Sequence, residues 1–245
     1  MTHIGIIPDG NRRWCKSNNI LMGSKEYLKN WSQKFYKFMR LDEKTTNKKI
    51  EYLKEIKEVS FYVCSIDNIH RADNTRELIF QLLRDLYDMY LNPDKYISES
   101  DLTELIDLTE NVQNFIFNSV KLNIIGEIDI LPDDIQQIIN DARELLNEGE
   151  YTINLAFAYD FNKDLDNHGV NNNPNYNREQ SNIDILFRSG NEKRTSGFFP
   201  TKTLYSEIFF NKKMWPEIDV DDFIKVIKQF KKRNRRFGKW THILA

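Results

Sequence analysis

Cysteine is nearly absent: Cys15 and Cys64 are the only two in 245 residues. Two such distant thiols build neither a disulfide framework nor a metal knuckle. Also missing is any apolar run near the ~18–20 residues that a membrane-spanning helix needs. The start, Met1-Thr2-His3-Ile4, passes straight into an apolar stretch with no basic region before it, so no secretory signal is expected. Neither charge sign dominates, because 35 Lys and Arg face 37 Asp and Glu for a net charge of −2. That balance argues against a dedicated nucleic-acid binder, although charge can still be unevenly placed. Internal repeats and domain boundaries are lacking too. The expectation is one soluble, cytoplasmic domain over 1–245, and composition assigns it no function.

What is present alternates. Short β-branched or apolar runs at 4–7, 59–66, 120–128, 152–159, 183–188 and 208–210 read as six strands. Between them lie helical patterns. Leu28, Trp31, Phe35 and Phe38 share one helical face, as do Ile79, Leu82, Leu83, Leu86 and Tyr90. Pro132 opens a helix running to about Glu148, and Asp219 caps a last one that turns Phe223, Ile227 and Phe230 inward. This order predicts an α/β fold with a mostly parallel sheet flanked by helices on both faces. Ligands then belong at the carboxyl ends of the strands. Two polar stretches interrupt the pattern: 91–101, a loop between helices, and the Asn-rich 162–182, expected to be a mobile connection.

Three groups of residues at predicted strand ends can carry chemistry. Asp9-Gly10-Asn11-Arg12-Arg13-Trp14 follows the first strand. A helix N-terminus with two guanidinium forks suits a phosphate, and Asp9 suits a hard cation such as Mg²⁺. The same residues also make a capped, solvated basic turn. Arg188 to Ser196 follows another strand, with Arg188, Lys193, Arg194, Ser189 and Ser196 around Gly190. It suits a second many-oxygened anion, or a plain solvated loop. Ser65, Asn68, His70 and Arg71 end the second strand and would bridge the two sites or form a capped turn. Glu207, beside a late strand, is a candidate second cation ligand or an ordinary surface charge. The basic run Lys231 to Gly238 reads as a solvated helix end or a nucleic-acid patch.

These blocks together resemble the cis-prenyltransferases, the undecaprenyl diphosphate and dehydrodolichyl diphosphate synthase family. The similarity starts at HIGIIPDGNRRW and passes through Ser65, Asn68 and Arg71. It continues in LNIIGEIDILPDDIQ, INLAFAYD and DILFRSGNEKRTSGFFP, and ends in YSEIFFNKKMWPEID and RNRRFG. The resemblance implies condensation of isopentenyl diphosphate with an allylic prenyl diphosphate, with cis double bonds in the product. It implies Asp9 as the essential carboxylate working with Mg²⁺, and Gly10, Asn11, Arg12, Arg13 and Trp14 around the allylic diphosphate. Arg188, Arg194 and Ser196 would hold isopentenyl diphosphate, Glu207 would help place the metal, and Asn68, beside Ser65 and Arg71, would assist proton removal. Arg236 and Gly238 match an element that reaches into a neighbouring subunit's site, which implies a homodimer. An apolar tunnel for the product would be lined by Phe35, Met39, Leu82, Leu86, Met89 and Tyr90, with peripheral membrane contact because the product partitions into lipid.

The chain also departs from the family pattern. Pro8 precedes Asp9 where an apolar residue, often Met, is usual. The Arg and His common after the Trp are missing from Ile20 to Ser24. Ile69 and Ala72 replace an aromatic and a proline, and Lys193 replaces a histidine. A different reading is a catalytically weak relative serving as a binding or regulatory subunit; such members lose the carboxylate matching Asp9, which this chain keeps. Nucleic-acid binding through the tail is a remote third.

Overall fold

A computed structural model describes residues 2–24, 26–27, 55–71, 74–92, 119–167, 175–176 and 180–235. The strands are β1 (Thr2–Ile7), β2 (Ile56–Tyr62), β3 (Val120–Ile125), β4 (Tyr151–Ala156), β5 (Ile185–Arg188) and β6 (Glu207–Phe210). The helices are α1 (Asn11–Asn18), α2 (Ile66–Ile69), α3 (Thr75–Leu91), α4 (Asp133–Leu145), α5 (Phe161–Asn167) and α6 (Val220–Phe230). All six strands run parallel in one sheet, ordered β3-β4-β2-β1-β5-β6. The sheet expected from the alternation is present, strand for strand.

Side-chain parity builds the core. Ile4 and Ile6 of β1 register with Val59 and Phe61 of β2 and with Ile185 and Phe187 of β5. Against this face α6 buries Phe223, Ile224, Val226 and Ile227, together with Trp215. Each such side chain contributes about 1.5–3 kcal/mol when fully buried. Further along, α3 and α4 bury Phe80, Ile135 and Ile139 against Ile124. The other face carries Ile7, Ile125, Ala156 and Leu186 under an aromatic group of Tyr159, Tyr176, Phe198 and Phe199. The expected cap of α6 is a reciprocal box: Asp219 Oδ1 accepts from the Asp222 N–H at 3.0 Å, and Asp222 Oδ2 from the Asp219 N–H at 3.1 Å.

A polar row also crosses the sheet. Asn123 Nδ2 donates to Asn154 Oδ1 at 2.8 Å, Asn154 Nδ2 to Ser60 Oγ at 3.0 Å, and Ser60 Oγ pairs with His3 Nε2 at 2.8 Å. A one-residue slip would leave these buried groups unpaired, so the row specifies register over four strands. Burial holds the His3 imidazole below its ordinary pKa despite the carboxylate of Glu58.

Some boundaries differ from expectation. β2 stops at Tyr62 because Ser65 caps α2, and β3 stops at Ile125 because the chain turns at Gly126. Gly126 has φ +150° and a Cβ there would lie 1.8 Å from the Phe157 carbonyl oxygen, so the close approach of β4 requires glycine. The 162–182 connection is partly helical: α5 occupies Phe161–Asn167, with Asp160 Oδ1 accepting from the Asn162 N–H at 2.9 Å. The helix predicted around Leu28 to Phe38, with Phe35 and Met39, lies outside the described residues, as do most of the 91–101 loop, Arg236 and Gly238.

Candidate active site

Strand order places the site. The connection from β1 leads to β2 on one side, whereas β5 leads to β6 on the other, so β1 and β5 flank a topological switch point. Crevices of this kind open at the carboxyl ends of the strands. Ile7, ending β1, registers with Arg188, ending β5. Asp9 therefore meets Arg188 directly, although 179 residues separate them.

The contact is an ion pair. Arg188 Nη2 donates to Asp9 Oδ2 at 2.8 Å, with the arginine side chain 5% and the aspartate 29% exposed. Asp9 Oδ1 accepts from the Gly10 N–H at 2.6 Å and from Arg13 Nη2 at 3.3 Å. The Asp9 carbonyl is clamped by Ser189 Oγ at 2.8 Å and the Trp215 N–H at 2.9 Å. Burial pushes the Asp9 carboxyl upward, but the Arg188 hydrogen bond and charge, the Gly10 amide and Arg13 outweigh it and hold the pKa below the usual carboxylate range. The group is ionised at neutral pH.

Gly10, with φ +101°, starts α1, and no side chain caps that helix. Gly190, with φ +81°, lets the two loops touch: a Cβ there would lie 2.8 Å from Arg13 Nη2 and 3.0 Å from the Asp9 backbone. Arg188 Nη1 donates to the Arg194 carbonyl at 2.7 Å and to Ser196 Oγ at 2.8 Å. Arg188 Nε and Asn11 Oδ1 are buried and have no partner among the described residues. One is a donor suited to an anion's oxygen and the other an acceptor suited to a water or hydroxyl.

The other residues singled out from sequence lie on elements that follow β1, β2 and β5. Arg12 and Arg13 lie exposed on α1, where Arg12 Nη1 donates to Thr75 Oγ1 at 3.4 Å, and Trp14 is half-buried. Ser65 and Asn68 leave the neighbouring β2; Asn68 Oδ1 accepts from the Ser65 N–H at 2.9 Å and Oγ at 3.0 Å. Arg71 is exposed beyond them. Glu192 was not singled out from sequence, yet it bridges the two basic loops, at 2.5 Å from Arg194 and 3.9 Å from Arg13.

Glu207 lies apart from Asp9 within the chain. It opens β6 and registers with Ile185, at the amino end of the sheet. Three residues at ~3.3 Å each separate it from the carboxyl edge. Its carboxylate pairs instead with Arg233 at 2.5 Å, so within one chain it shares no cation with Asp9. The tail runs along that same amino edge: Lys231 pairs with Glu55 and Arg235 with Asp184. Those neutralised cations also weaken the nucleic-acid reading.

The family model for undecaprenyl diphosphate synthase matches residues 7–238. The chain belongs to this family of cis-prenyltransferases. It is 26% identical over 268 residues to the tritrans,polycis-undecaprenyl-diphosphate synthase (geranylgeranyl-diphosphate specific) of Pyrobaculum aerophilum, covering 97% of this chain and 96% of that one. It is 28% identical over 254 residues to an isoprenyl transferase of Rickettsia prowazekii, covering 97% of each. Lavandulyl diphosphate synthase from Lavandula x intermedia, solved with dimethylallyl diphosphate, shares the fold at TM-score 0.69 and 20% identity, over 97% of this chain and 98% of that one. The protein is thus a prenyl-transferring enzyme, as the motif order led one to expect. Among cis-prenyltransferases, its own departures are now placed: Pro8 accepts from Asn11 Nδ2 at 2.7 Å through its carbonyl, which fixes the first turn of α1, and Lys193 is exposed.

Proposed function

We propose that this cis-prenyltransferase condenses isopentenyl diphosphate with an allylic prenyl diphosphate, using Mg²⁺ and working as a homodimer. The observation that carries the reading is the ionised Asp9 between Arg188 and the uncapped start of α1, with a basic loop on either side. In this reading Gly10, Asn11, Arg12, Arg13 and Trp14 hold the allylic diphosphate. Arg188, Arg194 and Ser196 hold the isopentenyl diphosphate, and Ser65, Asn68 and Arg71 span the gap.

The donor set suits Mg²⁺. Among the described residues no group of three or more His, Cys, Asp or Glu could cage a metal ion, so Asp9 would hold it together with groups that are not part of such a cage. Mg²⁺ commonly takes one or two carboxylates, with substrate phosphates and waters completing its octahedron. Asp9 Oδ2 keeps a lone pair beyond its Arg188 bond, and the unpaired Asn11 Oδ1 stands two residues away. Bound there, the metal would supply positive charge that favours departure of the allylic diphosphate. Arg12 and Arg13 add charged donors for the same leaving group. Arg188 and Ser196 would hold the second substrate so that its double bond attacks the carbon losing diphosphate. A carbon–carbon bond forms, the carbon–oxygen bond breaks, and a proton leaves with assistance from Asn68.

The product would lie along an apolar tunnel between the sheet and α3. Half-buried Phe61, Leu122 and Leu155 on the sheet, and Ile79, Leu82 and Leu83 on α3, are suited to line it. The side chains of Leu86, Met89 and Tyr90 lie outside the described residues. No described helix is long and apolar enough to cross a membrane, and a lipid product is the ground for proposing a cytoplasmic enzyme in peripheral membrane contact. Retention of the Asp9–Arg188 pair weighs against the regulatory-subunit reading.

Two tests apply. Purified chain with Mg²⁺, labelled isopentenyl diphosphate and allylic primers of graded length should yield extractable polyprenyl product. No incorporation with any primer, by folded protein, would overturn the function. The homodimer reading draws on the edge strand β6 and the turn before it, where Leu204, Tyr205, Ile208 and Phe210 are exposed, and on the tail starting at the amino edge, remote from its own Asp9. Light scattering should give twice the 29.3 kDa chain mass, and Leu204→Glu with Ile208→Glu should shift it toward the monomer. A wild-type mass of one chain at assay concentration would refute the dimer.

A further inference from the structure

Tyr62 ends β2, and the arrangement around its hydroxyl is not explained by packing. The ring stacks on Phe198 with centroids 5.0 Å apart and meets Tyr159 edge-on at 6.0 Å. The hydroxyl donates to the Ser196 carbonyl at 3.2 Å. Ser196 has φ +53° and Gly197 φ +74°, so two successive residues sit in the left-handed region. For a serine this conformation is strained and persists only where the surroundings over-determine it.

Three contacts do so. Arg188 Nη1 grips the Arg194 carbonyl and Ser196 Oγ from one side. The Phe161 ring lies against Gly197, where an added Cβ would be 3.1 Å from it. The Tyr62 phenol holds the Ser196 peptide from the other side. Arg188 reaches Asp9 with its second nitrogen, so a continuous set of hydrogen bonds joins β2, the loop after β5 and the carboxylate after β1. The Ser65 side chain is a second polar neighbour of the phenol, which ties the loop after β2 into the same set.

We propose that Tyr62 is a positioning residue for the isopentenyl-side diphosphate: its phenol fixes the Ser196 peptide, so that the Ser196 hydroxyl and the Arg188 guanidinium meet that anion in one geometry. This rests on the assignment of Arg188, Arg194 and Ser196 made above. Burial raises the phenol's pKa to about 12, so the hydroxyl keeps its proton through the neutral range.

Tyr62→Phe tests it, because the ring and its stacking stay while the hydroxyl goes. A hydrogen bond of this type is worth about 0.5–1.5 kcal/mol, which converts to roughly a twofold to tenfold change. The KM for isopentenyl diphosphate should rise by that factor, with kcat and the KM for the allylic primer within twofold of wild type. The penalty should shrink in a Ser196→Ala background, because the phenol acts through Ser196. A structural role alone would instead lower melting temperature and disturb both substrates alike. Calorimetry with inorganic diphosphate separates this proposal from the assigned function, since it needs no turnover. If the wild type binds diphosphate but elongates nothing, the function fails, while a weaker Kd in Tyr62→Phe still upholds the positioning role. Unchanged isopentenyl KM and diphosphate Kd, parallel rises for both substrates, or an undiminished penalty beside Ser196→Ala would overturn it.

Discussion

Asp9→Ala should abolish prenyl transfer, lowering kcat by about a thousandfold or more. That factor corresponds to ~4 kcal/mol of transition-state stabilisation. Asp9 is the carboxylate paired with Arg188 at the switch point, and its removal takes away both the proposed metal ligand and the partner that aims Arg188 Nη2. Stability is the confounding effect, since Arg188 is 5% exposed and would lose its counter-charge. A buried pair broken on one side costs about 3–5 kcal/mol, but Asp9 is 29% exposed and water can replace it, so the cost should be nearer 1–2. Asp9→Asn separates the two effects. The amide oxygen still accepts from Gly10 or Arg188, so the fold should hold, while the negative charge that a cation needs is gone. Labelled isopentenyl diphosphate incorporation by both variants, beside their melting temperatures, checks this. Activity within tenfold of wild type in folded Asp9→Asn would remove Asp9 from the chemistry.

Much of this architecture was legible because a parallel sheet buries continuous apolar runs, and six such runs stand out between helical patterns. Asp9 stood out for a related reason, since a carboxylate and a glycine turn after an apolar strand suit a cation and a phosphate, although the same residues also make a capped basic turn. The Asp9–Arg188 contact was not legible. It depends on β5 lying beside β1, and strand order comes from chain crossings that no local pattern encodes. Glu207 is the instructive case. A residue that opens a parallel strand lies at the edge opposite the ligands, and the apolar run beginning at Ile208 already implied that placement. Tyr62 and Glu192 escaped notice because their roles come from contacts made across loops, to the Ser196 carbonyl and to two arginines.

Arg188→Met should produce the second large loss, about a hundredfold to a thousandfold in kcat/KM for isopentenyl diphosphate, together with a changed pH profile. Methionine keeps an unbranched, flexible stem, so little volume is lost beneath the site. What disappears is a guanidinium that donates to Asp9, to the Arg194 carbonyl and to Ser196 Oγ, and whose buried Nε has no partner among the described residues. Loss of a single preorganised donor in such a site costs about a hundredfold to a thousandfold. The pH effect follows from the opposing influences on Asp9. Burial raises its pKa, and Arg188, through its hydrogen bond and charge, is the first of the groups that bring it below the ordinary value. Without the arginine, burial remains and only Gly10 and Arg13 oppose it, so the pKa climbs. A working carboxylate must be ionised, so activity is lost as pH falls through that pKa, and the acid limb of the Arg188→Met profile should lie at higher pH than in wild type. Arg188→Lys, which restores a charge without the fork, should return the acid limb toward wild type while recovering only part of the lost rate. An acid limb that stays put in Arg188→Met would show that ionisation of Asp9 does not govern the reaction.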